Sequence, residues 1–235
     1  MINKTSPSIR ELDIFCYNPT INHLCPGSLV KQAPVDHMNH SMNKYLAEAV
    51  GTFGLAFAVA LAVSQSFGLT PFLAALVLSG FVYSIGSISG AHINPAITLG
   101  LFSINKISSS EAIRYILAQG VGGGIALLVM MGMGITAAVS GSEFSWTIAI
   151  AETVGTFFFA FGVASVATGK APESMSGIVV GSSLLIGIII ASLLGSAGVL
   201  NPAVSIGLNF ISPSYFLGPI VGAILGMQVY KKLQG

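Results

Sequence analysis

The tripeptide Asn-Pro-Ala occurs twice, at Asn94-Pro95-Ala96 and Asn201-Pro202-Ala203, each time in a strongly apolar stretch. A polar amide and a helix-breaking ring are costly in such surroundings and call for a functional reason. The chemistry open to an asparagine is hydrogen bonding, not bond-making. Its carbonyl can cap a helix while its NH2 stays free to donate. Asn is a preferred N-cap and Pro a preferred first helical residue, so each tripeptide reads as a helix start. Glu48 and Glu152 are the other chemically distinctive groups, being the only carboxylates within the stretches long enough to cross a bilayer. At bilayer centre a charge costs about 2.5 to 3.5 kcal/mol on insertion scales, so something must satisfy them.

The apolar run after each tripeptide is short, Ala96 to Phe102 and Ala203 to Phe210. Nine helical residues rise about 14 Å, roughly half of a bilayer's hydrocarbon core. The expected elements are therefore two half-helices, residues 94–102 and 201–210, entering from opposite faces and meeting at their N-termini.

With 53% hydrophobic and 7% charged residues and a mean hydropathy of +0.85, the chain is read as a polytopic membrane protein. Its net charge of +1 supplies no basic patch, so nucleic acid is not an expected partner. There is no Gly-rich phosphate loop and no run of metal ligands, so neither cofactor nor metal is expected. No nucleophile-elbow serine motif or catalytic carboxylate pair argues for an enzyme.

Six stretches are long enough to span: Leu46 to Ser66, Phe72 to Ile88, Ala112 to Val139, Thr147 to Thr168, Ser176 to Leu194 and Ser214 to Tyr230. All nine Lys and Arg residues fall in the N-terminal tail, around the link before the third span, between spans four and five, or after the sixth. Six crossings put every positive charge on one face, and the positive-inside rule makes that face cytoplasmic, with both termini there. The lipid bilayer is the expected surrounding, and the cell (inner or plasma) membrane the expected location.

Ala47-Glu48-Ala49-Val50-Gly51-Thr52-Phe53 recurs nearly unchanged as Ala151-Glu152-Thr153-Val154-Gly155-Thr156-Phe157. The offset is 104 residues at the glutamates (48 to 152) and 107 at the asparagines (94 to 201), so the short helices hold matching places in each copy. Three crossings separate the copies, which makes the repeat inverted. The expected units are a first repeat at 45–139 and a second at 147–232, after a disordered cytoplasmic tail at 1–44. In that tail Cys16 and Cys25 are free thiols, a disulfide or incidental, and with His23, His37 and His40 they allow a metal site against the blander reading of a solvated segment. Met38 and Met42 are alternative starts. Glycines at helix-contact spacing, Gly218, Gly222 and Gly226 in span six with Gly120 and Gly124 in span three, read as packing features.

Paired Asn-Pro-Ala motifs, the Ser89-Gly90-Ala91-His92 approach to the first and the duplicated Ala-Glu-x-x-Gly-Thr-Phe openings resemble the aquaporin, or major intrinsic protein, family over residues 44 to 232. The resemblance implies an all-α membrane protein: an aquaporin-like right-handed bundle of six transmembrane helices plus two re-entrant half-helices, in an inverted internal repeat. It implies a passive channel for water or small uncharged solutes, assembled as a homotetramer. It implies that Asn94 and Asn201 donate to molecules in the pore, that His92 lines the cytoplasmic half of the pore, and that Glu48 and Glu152 support the re-entrant loops. Physics agrees in outline. Two helix N-termini, each worth about half a positive charge, disfavour cations at mid-membrane while neutral molecules cross. The alternatives are that the asparagines only cap, that His92 is structural, and that the glutamates couple protons in a secondary transporter built on the same kind of repeat.

The chain departs from the family in and around its selectivity filter. Most relatives carry Arg after the second motif, where this chain has Val204. Counting back without gaps, the other selectivity-filter positions fall at Ala74, Ile189 and Gly198. The set is apolar and small, and the loss of Arg removes five fixed donors and a positive charge. The expectation is a wider filter for solutes such as polyols, urea-like molecules or undissociated metalloid acids. A dewetted, poorly conducting gated relative is the contrary reading.

Overall fold

The computed structural model describes residues 37–135 and 143–235, with side chains from Met42 onward. The readings placed on Cys16, Cys25 and His23, and the end of the third expected span at Val139, lie outside the described residues.

The described residues fold into eight α-helices and one 3-10 turn, with no strand among them. In chain order the helices are α1 (His37–Ser64), α2 (Thr70–Ser89), α3 (Pro95–Ser103), α4 (Ser109–Gly132), α5 (Trp146–Ala167), α6 (Ser176–Leu193), α7 (Pro202–Gly207) and α8 (Ser214–Leu233). Five of them are long and apolar enough to cross a membrane, within Met42–Ser64, Thr70–Ser89, Ser109–Gly132, Trp146–Ala167 and Glu173–Leu193. The sixth, α8, has the length, with 20 residues, but carries Gln228 and has Lys231 and Lys232 in its last turn. Twenty residues rise about 30 Å, the thickness of a hydrocarbon core. The architecture is an all-α membrane bundle of six long helices and two short ones. Helix α1 begins at His37, earlier than the boundary expected at residue 44, because no Gly or Pro interrupts His37 to Lys44.

The two halves pack by the same device. A Cβ on Gly122 of α4 would stand 2.3 Å from the carbonyl oxygen of Ala49, and one on Gly222 of α8 would stand 2.2 Å from that of Thr153. Ala49 and Thr153 each follow the duplicated glutamate, so α4 meets α1 as α8 meets α5. Only a residue without a side chain allows backbones this close. Gly218 and Gly226 likewise face Ala149 and Phe157 of α5. Gly120 and Gly124 correct the reading made from spacing: a Cβ on either meets nothing within 4 Å. The contacts belong to Gly122 and to Gly123, which faces the Ala203 carbonyl, because each residue step turns a helix by about 100°.

The short helices start and stop alike. Asn94 caps α3 by accepting from Ala96 N at 2.8 Å, and Asn201 caps α7 by accepting from Ala203 N at 3.0 Å. Just past each helix an asparagine takes the left-handed conformation, Asn105 at φ 62° and Asn209 at φ 59°. The amide of Lys106 then reaches Leu101 O, and that of Phe210 reaches Ser205 O, each at 2.9 Å, closing the last turn. Helix α7 stops at Gly207, three residues short of Phe210, with the Ser205 hydroxyl donating to the Phe210 carbonyl.

Candidate functional site

Each short helix is reached through irregular backbone that would leave its amides unpaired in an apolar setting. The duplicated glutamates meet that need. Glu48 accepts four hydrogen bonds: Oε1 from Ser89 Oγ at 2.7 Å and His92 N at 2.9 Å, Oε2 from Ile93 N at 2.6 Å and Gln119 Nε2 at 2.8 Å. Glu152 repeats the pattern through Ser196 Oγ, Val199 N at 2.9 Å and Leu200 N at 2.6 Å. Both side chains are fully buried. A buried carboxylate is tolerable when its lone pairs are filled by donors in this way.

Ile93 and Leu200, the residues before each Asn, sit at φ 36° and φ 54°, a left-handed conformation that a branched side chain adopts only under constraint. The constraint comes from both sides. Their amides are held by the glutamates, and their carbonyls accept from the opposite asparagine: Asn94 Nδ2 to Leu200 O and Asn201 Nδ2 to Ile93 O, each at 2.9 Å. The two helix N-termini thus meet head to head. Each amide nitrogen spends one hydrogen on the opposite loop and keeps one, so the NH2 groups are half free rather than wholly free as capping alone would leave them. Pro95, Ala96, Pro202 and Ala203 are buried behind them.

Among the described residues, two cavities lie within the bundle. One, of about 190 Å³, is bounded by the N-terminal half of α2, from Thr70 to Leu78, and the other, of about 500 Å³, by its C-terminal half, from Leu78 to Ser87. They therefore lie toward opposite ends of the helices. Asn94, Asn201, Ala74, Gly198 and Val204 line the smaller one, and His92 lines both. Ile189 does not. It is 40% exposed on the outer side of α6, and Ile188, at 8% exposure, faces the cavity in its place. The count from the motif misses by one residue, since the loop from residue 194 to the cap is not helical and carries no fixed rise per residue.

Residues that sequence reasoning passed over complete the site. Gln119 bridges Glu48 and Thr98, donating to Thr98 Oγ1 at 2.9 Å, and Tyr115 donates to Ser89 O at 2.7 Å. Leu78, four residues after Ala74, and Phe159, seven after Glu152, line the cavities on the faces those residues mark. That spacing was the available signal.

Six long helices, two buried half-helices joined tip to tip and cavities toward both ends define a membrane channel. The sequence profile of the major intrinsic protein family matches residues 35–230. Aquaporin AqpM of Methanothermobacter thermautotrophicus is 34% identical over 206 residues, 77% of this chain and 75% of that protein. Nodulin-26 of Glycine max is 35% identical over 216 residues, 80% of this chain and 77% of its own. Among solved structures, the aquaglyceroporin of Plasmodium falciparum shares the fold, with a TM-score of 0.59 at 20% identity over 82% of this chain and 95% of that one. The chain belongs to the major intrinsic protein, or aquaporin, family. It is a membrane channel for water or small solutes and not an enzyme.

Proposed function

We propose that this channel passes small uncharged solutes wider than water, among them polyols, urea-like molecules and undissociated metalloid acids, through an outer ring of Ala74, Ile188, Gly198 and Val204. The observation that carries the reading is the chemistry of that ring. Four residues from separate parts of the chain line one cavity, and none carries a charge or a side-chain donor. Without a guanidinium the ring has neither five fixed donors nor a positive charge to repel a cation, and it offers a wider, apolar opening. Further in, the remaining N–H of Asn94 and of Asn201 donates to the solute, and the two helix N-termini repel cations. Glu48 and Glu152 hold the loops whose carbonyls form the rest of the path.

In the same reading the halves 45–139 and 147–232 act as inverted repeats around one pore, and the end bearing Lys106, Lys170, Lys231 and Lys232 is cytoplasmic, with both termini. The protein is a homotetramer with one pore per subunit in the plasma or inner membrane. Proteoliposome swelling with water, glycerol, urea and arsenite tests the solute range: uptake of the larger solutes supports it, and swelling with water alone removes it. Native mass spectrometry from detergent tests the tetramer.

A further inference from the structure

Besides the outer ring, the path has a second boundary. Among the described residues, Leu78, His92 and Phe159 are the only ones that line both cavities, so the cavities abut at these three side chains. The boundary lies beyond the asparagines, since Asn94 and Asn201 line only the smaller cavity.

The two rings differ in bulk. The outer ring offers a methyl, a bare glycine, an isopropyl and a sec-butyl group. The inner ring offers an isobutyl, an imidazole and a phenyl group. Its members are also buried in the bundle: Leu78 and Phe159 are each 2% exposed. His92 is wedged against Tyr115, ring centroids 4.8 Å apart, and its Nδ1 lies 3.2 Å from Thr98 Oγ1. The Thr98 hydroxyl donates to Asn94 O at 3.0 Å and accepts from Gln119 Nε2 at 2.9 Å, so the imidazole is tied on its Nδ1 side to a residue that is itself held. A solute at this ring sheds its water against two hydrocarbon groups and finds a single polar partner, which makes bulk and hydration count together.

We infer that the upper size limit for solutes is set at the inner ring of Leu78, His92 and Phe159 and not at the outer ring around Val204. The inference rests on the chain acting as a solute channel, and it relocates the step that sorts solutes by size. Phe159 is its principal specificity-determining residue.

The test is stopped-flow light scattering on proteoliposomes carrying the full chain, with water, glycerol, erythritol and xylitol in series and raffinose as a leak control. For the first polyol that the unaltered channel excludes, Phe159→Ala should raise the rate relative to water by about tenfold, the factor given by about 1.4 kcal/mol off a barrier. Leu78→Ala should act in the same direction, and Val204→Ala should leave the cut-off where it was. A misfolded channel loses flux, so a gain in polyol rate with raffinose still excluded cannot come from misfolding. Phe159→Leu, a smaller change, covers the case in which the alanine variant does not insert. A cut-off that moves with Val204→Ala and not with the Phe159 and Leu78 variants overturns the inference and leaves the proposed solute range standing. If the unaltered channel passes water alone and Phe159→Ala then admits glycerol, the proposed range fails and the inner ring holds.

Discussion

Asn94 and Asn201 are locked to each other's loops: each donates its side-chain amide, at 2.9 Å, to the carbonyl immediately before the other. This reciprocal pair makes the meeting of the two short helices a specific joint. Removing either side chain abolishes a cap and leaves a buried carbonyl without a donor. Asn94→Ala or Asn201→Ala should each cost about 2 to 4 kcal/mol, the sum of a lost cap and an orphaned polar group. Because the two loops share one joint, the double variant should cost less than the sum of the singles, as measured by thermal unfolding in detergent.

Glu48 and Glu152 accept only from donors, so an amide in place of either carboxylate sets an NH2 against backbone N–H groups. Glu48→Gln and Glu152→Gln should each destabilise by about 1 to 3 kcal/mol and reduce flux. Equal melting temperatures and unchanged swelling rates for both variants would contradict the role assigned to them.

Gly222 and Gly124 make opposite forecasts for the same substitution. A Cβ at Gly222 would stand 2.2 Å from the Thr153 carbonyl, which forces α8 off α5 at a cost of about 1 to 3 kcal/mol. A Cβ at Gly124 meets nothing within 4 Å. Gly124→Ala should therefore be neutral or stabilising by up to about 1 kcal/mol through helix propensity alone. Thermal unfolding of the two alanine variants side by side measures the difference.

Val204→Arg returns a guanidinium to the cavity of about 190 Å³ that Val204 lines. The side chain fills space and brings five donors and a charge. Glycerol and urea rates should fall several-fold more than the water rate in the swelling assay. A fall in all three by the same factor would instead indicate a blocked or misfolded channel.

Much of this molecule is legible without coordinates. The Asn-Pro pairs announce two helix starts because capping and proline chemistry are local. The duplicated Glu-containing openings announce two like halves, and the placement of every Lys and Arg orders the crossings, because a bilayer rejects charge wherever the chain passes through it. Local rules do not reach across irregular backbone. Ile188 rather than Ile189 faces the cavity, and Gly122 rather than Gly120 or Gly124 meets its neighbour, because a one-residue step turns a helix by about 100° and only packing sets the absolute rotation. The partners of Glu48 and Glu152, the exchange of amides between Asn94 and Asn201, and the meeting of Leu78, His92 and Phe159 at one boundary join residues far apart in the chain. The chain alone determined what kinds of groups are present and in what order; which of them touch was decided by helices packing closely enough to bring them within hydrogen-bond reach.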